Sequence, residues 1–251
     1  MRTGLLLLAV CALAGGAAPA AVSATTLGGE VYGAFNTFAM NDLNQGVHAW
    51  NDQLQARGLP STLADLSSGF TMGVGVRAWL RPTWMVRAGW EPILAETEDL
   101  QQTTIPIGII NYLATTHARS NADANDFSLT VGYFMPSKGS SRFGFGAGAD
   151  YVRMLGRAER SLEITPPPPP PDPSASTRAD LTGSTVGFHL QGLGEWTVSP
   201  GFSVTGVLGY RYAKVSDTQF NGQSQSPKIE TDYSGVTARL GLALYLPSHG
   251  K

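Results

Sequence analysis

The 251 residues carry 17 Lys and Arg against 19 Asp and Glu, a formal net charge of −2, and only 14 % of side chains are charged. That balance excludes a basic nucleic-acid-binding face, and the charged share is low for a soluble domain, where about 25 % is usual. Glycine is abundant, at 30, and the length suits one barrel or two small domains.

Arg2 followed by the apolar run Leu5 to Ala14 reads as a secretory signal, with Val22-Ser23-Ala24 or Ala18-Pro19-Ala20 as the small-residue cleavage site. Residues 1–24 are therefore set aside, leaving one domain over 25–251. Cys11, the sole cysteine, lies in the apolar run behind Val10. A lipidated cysteine needs a small residue there, so the mature chain is expected to hold neither lipid nor thiol.

The first strand is expected over Gly28–Phe38, where alternation is weak. Residues 39–68 form a long loop with a short helix. Asn41 or Asp42 caps it, Leu43, Val47, Trp50 and Leu54 recur at helical spacing, and Gly58 and Pro60 stop it. Such a helix folds onto a barrel rim or anchors at an interface through Trp50. Gly69 to Glu91 is a hairpin around Arg81-Pro82-Thr83. Phe70, Met72, Val74, Val76, Ala78 and Leu80 form one row, continued by Trp84, Val86, Ala88 and Trp90. Glycine, Arg77, Arg87 and Glu91 lie opposite.

Residues 92–125 read as a second long loop, since Pro106 interrupts the alternation of Ile105, Ile107 and Ile109. Pairing over 103–118 would raise the strand count to ten. Strands follow at Asp126–Phe134 and Arg142–Tyr151. The loop over 156–184 contains Pro166 to Pro171, a polyproline rod that must stand in water because its backbone bonds nothing internally. Strands over Val186–Trp196, Phe202–Tyr212 and Gly235–Leu246 enclose a polar loop at 213–232. Eight strands result, with tight turns near 82, 138 and 200 alternating with long connections.

Both soluble and membrane barrels alternate, so the second face decides. It holds Gly, Ser, Thr and Ala with a few mixed charges, Arg77, Arg87, Glu91, Asp126, Asp150, Glu195, Arg211 and Arg239. A water-facing row would be rich in Lys and Glu; this one suits a filled lumen whose charges pair. Trp84, Trp90, Phe143, Tyr151, Trp196, Phe202 and Tyr210, with Phe134, gather at strand ends as aromatic girdles.

Signal, eight alternating strands, tight turns and long loops resemble the small outer-membrane barrels, the OmpA transmembrane domain, OmpX and opacity-type proteins, over residues 28–246. The resemblance is architectural. Family members commonly end the last strand on an aromatic residue, whereas here Tyr245-Leu246 runs into Pro247. It implies an all-β, eight-stranded antiparallel up-and-down transmembrane barrel, exported to the outer membrane, lipid-embedded and inserted by the assembly machinery. No periplasmic anchoring domain is implied.

Motifs for chemistry are weak. Gly144 to Gly148 lies inside a strand rather than opening a helix, which argues against a phosphate loop. A calcium loop starting at Asp123 fails at Ser128 and Phe134. His189, beside Gln191 and Glu195, reads as a lumen hydrogen-bonding residue rather than a base. The inner charges read as a structural network, with Arg77 and Glu91 as a candidate pair. The expectation is a monomeric, non-enzymatic barrel without cofactor or metal. Its role would be structural or in surface interaction, any extracellular ligand being held by loops 39–68, 92–125, 156–184 and 213–232. Alternatives are a narrow OmpW-like conduit, a lipid-modifying enzyme and a soluble lipocalin-like barrel.

Overall fold

A computed structural model describes residues 26–59, 63–107, 110–165 and 175–246. The signal segment, the hexaproline run and the tail beyond Leu246 lie outside these residues. In chain order the elements are β1 (Thr26–Thr37), α1 (Asn41–Ala56), β2 (Ser68–Arg81), β3 (Trp84–Ile93), β4 (Glu96–Ile107), β5 (Ile110–Asn121) and β6 (Ala124–Phe134). There follow β7 (Ser141–Thr165), β8 (Ala175–Ser199) and β9 (Phe202–Tyr212). Four two-residue strands come next, β10 (Lys214–Val215), β11 (Gln219–Phe220), β12 (Gln223–Ser224) and β13 (Thr231–Asp232), before β14 (Gly235–Tyr245).

Eight of these strands pair in a ring, β1-β2-β3-β6-β7-β8-β9-β14, and β14 returns to β1 with Val31 opposite Leu242. Every pairing is antiparallel. Alternation sorts the side chains. On β2, Phe70, Met72, Val74 and Val76 are exposed while Thr71 and Arg77 are buried. The same split holds on β1, where Leu27, Val31 and Phe35 face out and Glu30, Tyr32 and Asn36 face in.

Two stretches read as loops carry regular strands instead. β4 (96–107) and β5 (110–121) pair with each other, and β7 and β8 run on through most of 156–184, paired as far as Leu162 opposite Ala175. The hairpin joins the upper half of β7 through β5, with Thr116 opposite Leu162. It does not enter the ring, because Ile93 of β3 pairs directly with Ala124 of β6. β4 is an edge strand, which is where a proline such as Pro106 costs least.

Inside the ring three layers succeed one another. Near the tight turns Trp79, Met85, Phe134 and Leu193 form an apolar cluster flanked by Val207 and Tyr245. Phe134, expected in the outer girdle, is fully buried here and packs on Trp79 with ring centroids 4.9 Å apart. The charged side chains occupy the middle. Above them Phe38, Met40, Leu66, Ile93, Val152, Met154, Leu181, Val215 and Tyr233 close the end that carries the long connections. The Tyr233 hydroxyl crosses this cap to donate to the Ala122 carbonyl at 2.9 Å.

α1 follows the expected spacing and packs on the outer sheet. Val47 meets Leu63 and Ala118, and Leu54 meets Tyr112, Ala114 and Ile164. Trp50 lies between these clusters under the Arg160 guanidinium, 5.0 Å from its ring, so it is a packing residue of the outer layer. Burial there pulls the Arg160 guanidinium below its ordinary value.

Candidate functional site: the lumen and the outer sheet

Adjacent inward residues come from neighbouring strands, so strand register decides which charges meet. Arg77 stands directly opposite Arg87. Glu30, on the next strand, resolves the repulsion: its carboxylate holds Arg87 Nε and lies 3.4 Å from Arg77 Nε. Arg77 also reaches Glu195 Oε2 at 3.2 Å and donates from Nη1 to the Tyr245 hydroxyl at 2.8 Å. Tyr245 in turn donates to Glu195 Oε1 at 3.0 Å, where Arg142 Nη2 also donates at 3.1 Å. This half of the lumen gathers Arg77, Arg87 and Arg142 around two carboxylates.

The half nearer the long connections is more acidic. Glu91 and Asp126 are cross-strand neighbours. Arg239 Nε donates to Glu91 Oε2 at 2.9 Å, and Asn36 donates to Glu91 Oε1 at 2.8 Å while accepting from Thr237 at 2.8 Å. Arg211 Nη1 donates to Asp126 Oδ2 at 3.0 Å. Tyr32 joins the halves, its ring lying 4.8 Å from the Arg87 guanidinium carbon and 5.4 Å from that of Arg239. A side chain at Gly73 would strike that ring, so this close approach requires glycine.

The structure therefore brings Arg77, Arg87, Glu91, Asp126, Asp150, Glu195, Arg211 and Arg239 into one interior, all buried apart from a small exposed fraction of Arg239. The Arg77–Glu91 pair does not form. Glu91 lies four residues beyond Arg87 on β3, about 14 Å along the strand from the position opposite Arg77. Sequence reasoning missed Glu30 and Tyr32 as members. Their signal was the inward row Glu30, Tyr32, Ala34 and Asn36, obscured by the glycines that fill both rows of β1.

His189 makes the arrangement closest to catalytic geometry. Its Nδ1 lies 2.8 Å and 2.9 Å from the two Asp150 oxygens, and its Nε2 lies 2.9 Å from Thr130 Oγ1. Gln191 Nε2 approaches the same hydroxyl at 3.4 Å. All three members are buried, Thr130 completely. The adjoining cavity is about 10 Å³, at the limit for one water and too small for any substrate. A base needs access to the proton it takes; this histidine bridges three strands instead.

Outward, the girdle residues Trp84, Trp90, Phe143, Tyr151, Trp196 and Tyr210 are exposed and Phe202 is half-buried. On β7 the outward row is apolar from Phe143 to Tyr151 and turns charged at Arg153, Arg157 and Glu159. Eight rises of about 3.4 Å, tilted near 40°, span roughly 20 Å, close to the ~25 Å apolar band of membrane barrels.

Beyond that band the sheet's open face is laced by ion pairs. Arg119 meets Glu96 at 2.6 Å, His117 meets Glu98 at 2.8 Å, and Arg157 and Arg178 share Glu159 and Asp180 at 3.1–3.7 Å. The hydrogen bond that Arg119 donates to Glu96 holds its guanidinium above its ordinary value. In the last long connection, Lys214 is held above its ordinary value in the same way by Glu230, 2.8 Å away, and by Asp232 at 3.1 Å. The described residues hold no His, Cys, Asp and Glu cluster fit for a metal.

No protein-family model and no curated protein matches this chain. Among solved structures it is similar to neisserial surface protein A, at 9 % identity and TM-score 0.41, over 90 % of this chain and 99 % of that one. It is also similar to the outer membrane protein OprG from Pseudomonas aeruginosa, at 10 % identity and TM-score 0.46, over 90 % and 97 % of the two chains. A major outer membrane protein from Thermus thermophilus aligns at 13 % identity and TM-score 0.43, over 89 % and 100 %.

Proposed function

We propose that the ring is a closed eight-stranded barrel set in an outer membrane, sealed along its axis, which displays the outer sheet and α1 to the exterior as a surface-interaction platform. The observation that carries this is the inversion of polarity: buried, paired charges fill the interior while Phe70, Met72, Val74, Leu240, Leu242 and Leu244 face out. An apolar outer row cannot be left against water over eight strands without association, whereas lipid wets it at no cost. Tight turns and both strand termini then share the periplasmic side.

The charged middle layer between two apolar layers favours a sealed lumen over a conduit, and the enclosed His189 favours a structural protein over an enzyme. Binding belongs to the exterior assembly, which offers a ladder of charged pairs on one face and the free edge of β4. Purified protein refolded into liposomes is expected to be β-rich and heat-modifiable, and to admit neither small sugars in a swelling assay nor steady current in a planar bilayer. Solute-dependent swelling would establish the conduit instead. Unchanged lipid A masses on expression are the matching outcome for the enzyme class.

A further inference from the structure

On the tight-turn side the rim stands open over the apolar layer of Trp79, Met85, Phe134 and Leu193. A basin of about 280 Å³ opens there, lined by Thr26, Trp79, Arg81, Arg142, Thr197, Ser203 and Tyr245, with Pro82 and Gly201 at its turns. We propose that this basin is a binding site for a small soluble oxyanion, one bearing a phosphate or carboxylate group.

Charge is the first argument. Glu195, the carboxylate beneath the basin, is already engaged by Arg77, Arg142 and the Tyr245 hydroxyl. Arg81 is exposed at the rim, and its guanidinium has no partner among the described residues. Arg142 lies over the Trp79 ring, its guanidinium carbon 4.2 Å from the centroid, and keeps 29 % of its side chain exposed. Two guanidinium groups thus face a space whose acidic group is spent, and guanidinium forks match oxyanions bidentately.

Construction is the second. Thr26 and Thr197 bring hydroxyls that can donate to the same ligand, and Ser203 Oγ, buried behind them, donates to Thr197 Oγ1 at 3.5 Å. Both register irregularities in the ring border this basin, one between Trp79 and Arg81 and one between Thr197 and Ser199. Bulges at barrel rims re-aim side chains, here on the two strands that supply the arginine and the hydroxyl. Trp79, Arg142, Thr197, Ser203 and Tyr245 all sit on inward rows, so the ligand enters from water along the barrel axis, and a lipid headgroup would have to climb over the rim. The site stands apart from the outer sheet and does not depend on what that sheet binds.

The test is calorimetric titration of the refolded, heat-modifiable protein with inorganic phosphate and with succinate at low ionic strength. Saturable binding of at least one anion is expected, weakened tenfold or more in Arg81→Gln, a rim residue whose loss breaks no contact among the described residues. Arg142→Lys, which keeps the charge but loses the fork, is expected to weaken it less. Absence of saturable binding for both anions, or equal affinity in Arg81→Gln, would overturn the site. Stronger competition from short-chain phosphatidylglycerol than from free phosphate would reassign it to a lipid headgroup and overturn the soluble-ligand form.

Discussion

Glu30 shows how much one buried residue decides. Register forces Arg77 and Arg87 side by side, and like charges on facing positions of a sheet repel. A carboxylate on the neighbouring strand is what lets both remain buried. Glu30→Gln should therefore cost about 3–5 kcal/mol, since removing one partner leaves buried charges uncompensated. Urea unfolding in lipid bilayers checks it, and an unchanged midpoint would show that water, not Glu30, solvates these arginines. The identities of the other interior charges were legible, because alternation assigns every residue of a strand to a face once one is known. Their partners were not. A shift of two residues in register would exchange one pair for another without altering any strand's own pattern, so Arg77 with Glu91 looked reasonable, whereas Glu30 and Glu195 hold Arg77.

At the scale of the element, β8 shows within one strand where the apolar outward row ends. Leu190 and Ser176 lie on the same outward row, the former among apolar neighbours and the latter beside Arg178 and Asp180. Leu190→Arg is expected to destabilise the refolded barrel by about 2–4 kcal/mol, and Ser176→Arg by no more than a few tenths. Equal effects would mean that both positions face the same solvent. This boundary also explains why residues 96–121 and the far half of β7 and β8 hid from sequence reasoning. Beyond the apolar band both faces of a strand carry polar residues, so the greasy-row criterion that found the ring has nothing to detect. The hairpin residues Thr97, Asp99, Gln101 and Thr103 alternate with Glu96, Glu98, Leu100 and Gln102, a pattern with almost no hydrophobic contrast. The α1 stripe was legible because Leu43, Val47, Trp50 and Leu54 supply that contrast at helical spacing, although what they pack on was not.

For the whole molecule the question is which parts need which. β3 and β6 pair in the ring without help from the hairpin between them, because Ile93 and Ala124 already sit opposite each other at its base. The outer layer is different: β5 supplies Tyr112, Ala114 and Ala118, the surface against which α1 buries Val47 and Leu54. Replacing residues 94–123 with Asn-Gly, a two-residue turn whose backbone suits paired antiparallel strands, should thus leave a ring that still refolds and shifts on heating. The apolar cap would lose Ala95 and Ala122 and the acceptor of the Tyr233 hydroxyl, so the ring's unfolding midpoint should fall without the transition disappearing. α1 should meanwhile become the first site of proteolysis, its apolar stripe having lost Tyr112, Ala114 and Ala118 and kept only the β7 and Leu63 contacts. Failure of the shortened chain to fold would place the hairpin inside the ring's own cooperative unit. Continued protection of α1 would mean that the helix is held by the ring rim, through Leu43 and the Asp42 bond to the Glu230 amide, rather than by the outer sheet.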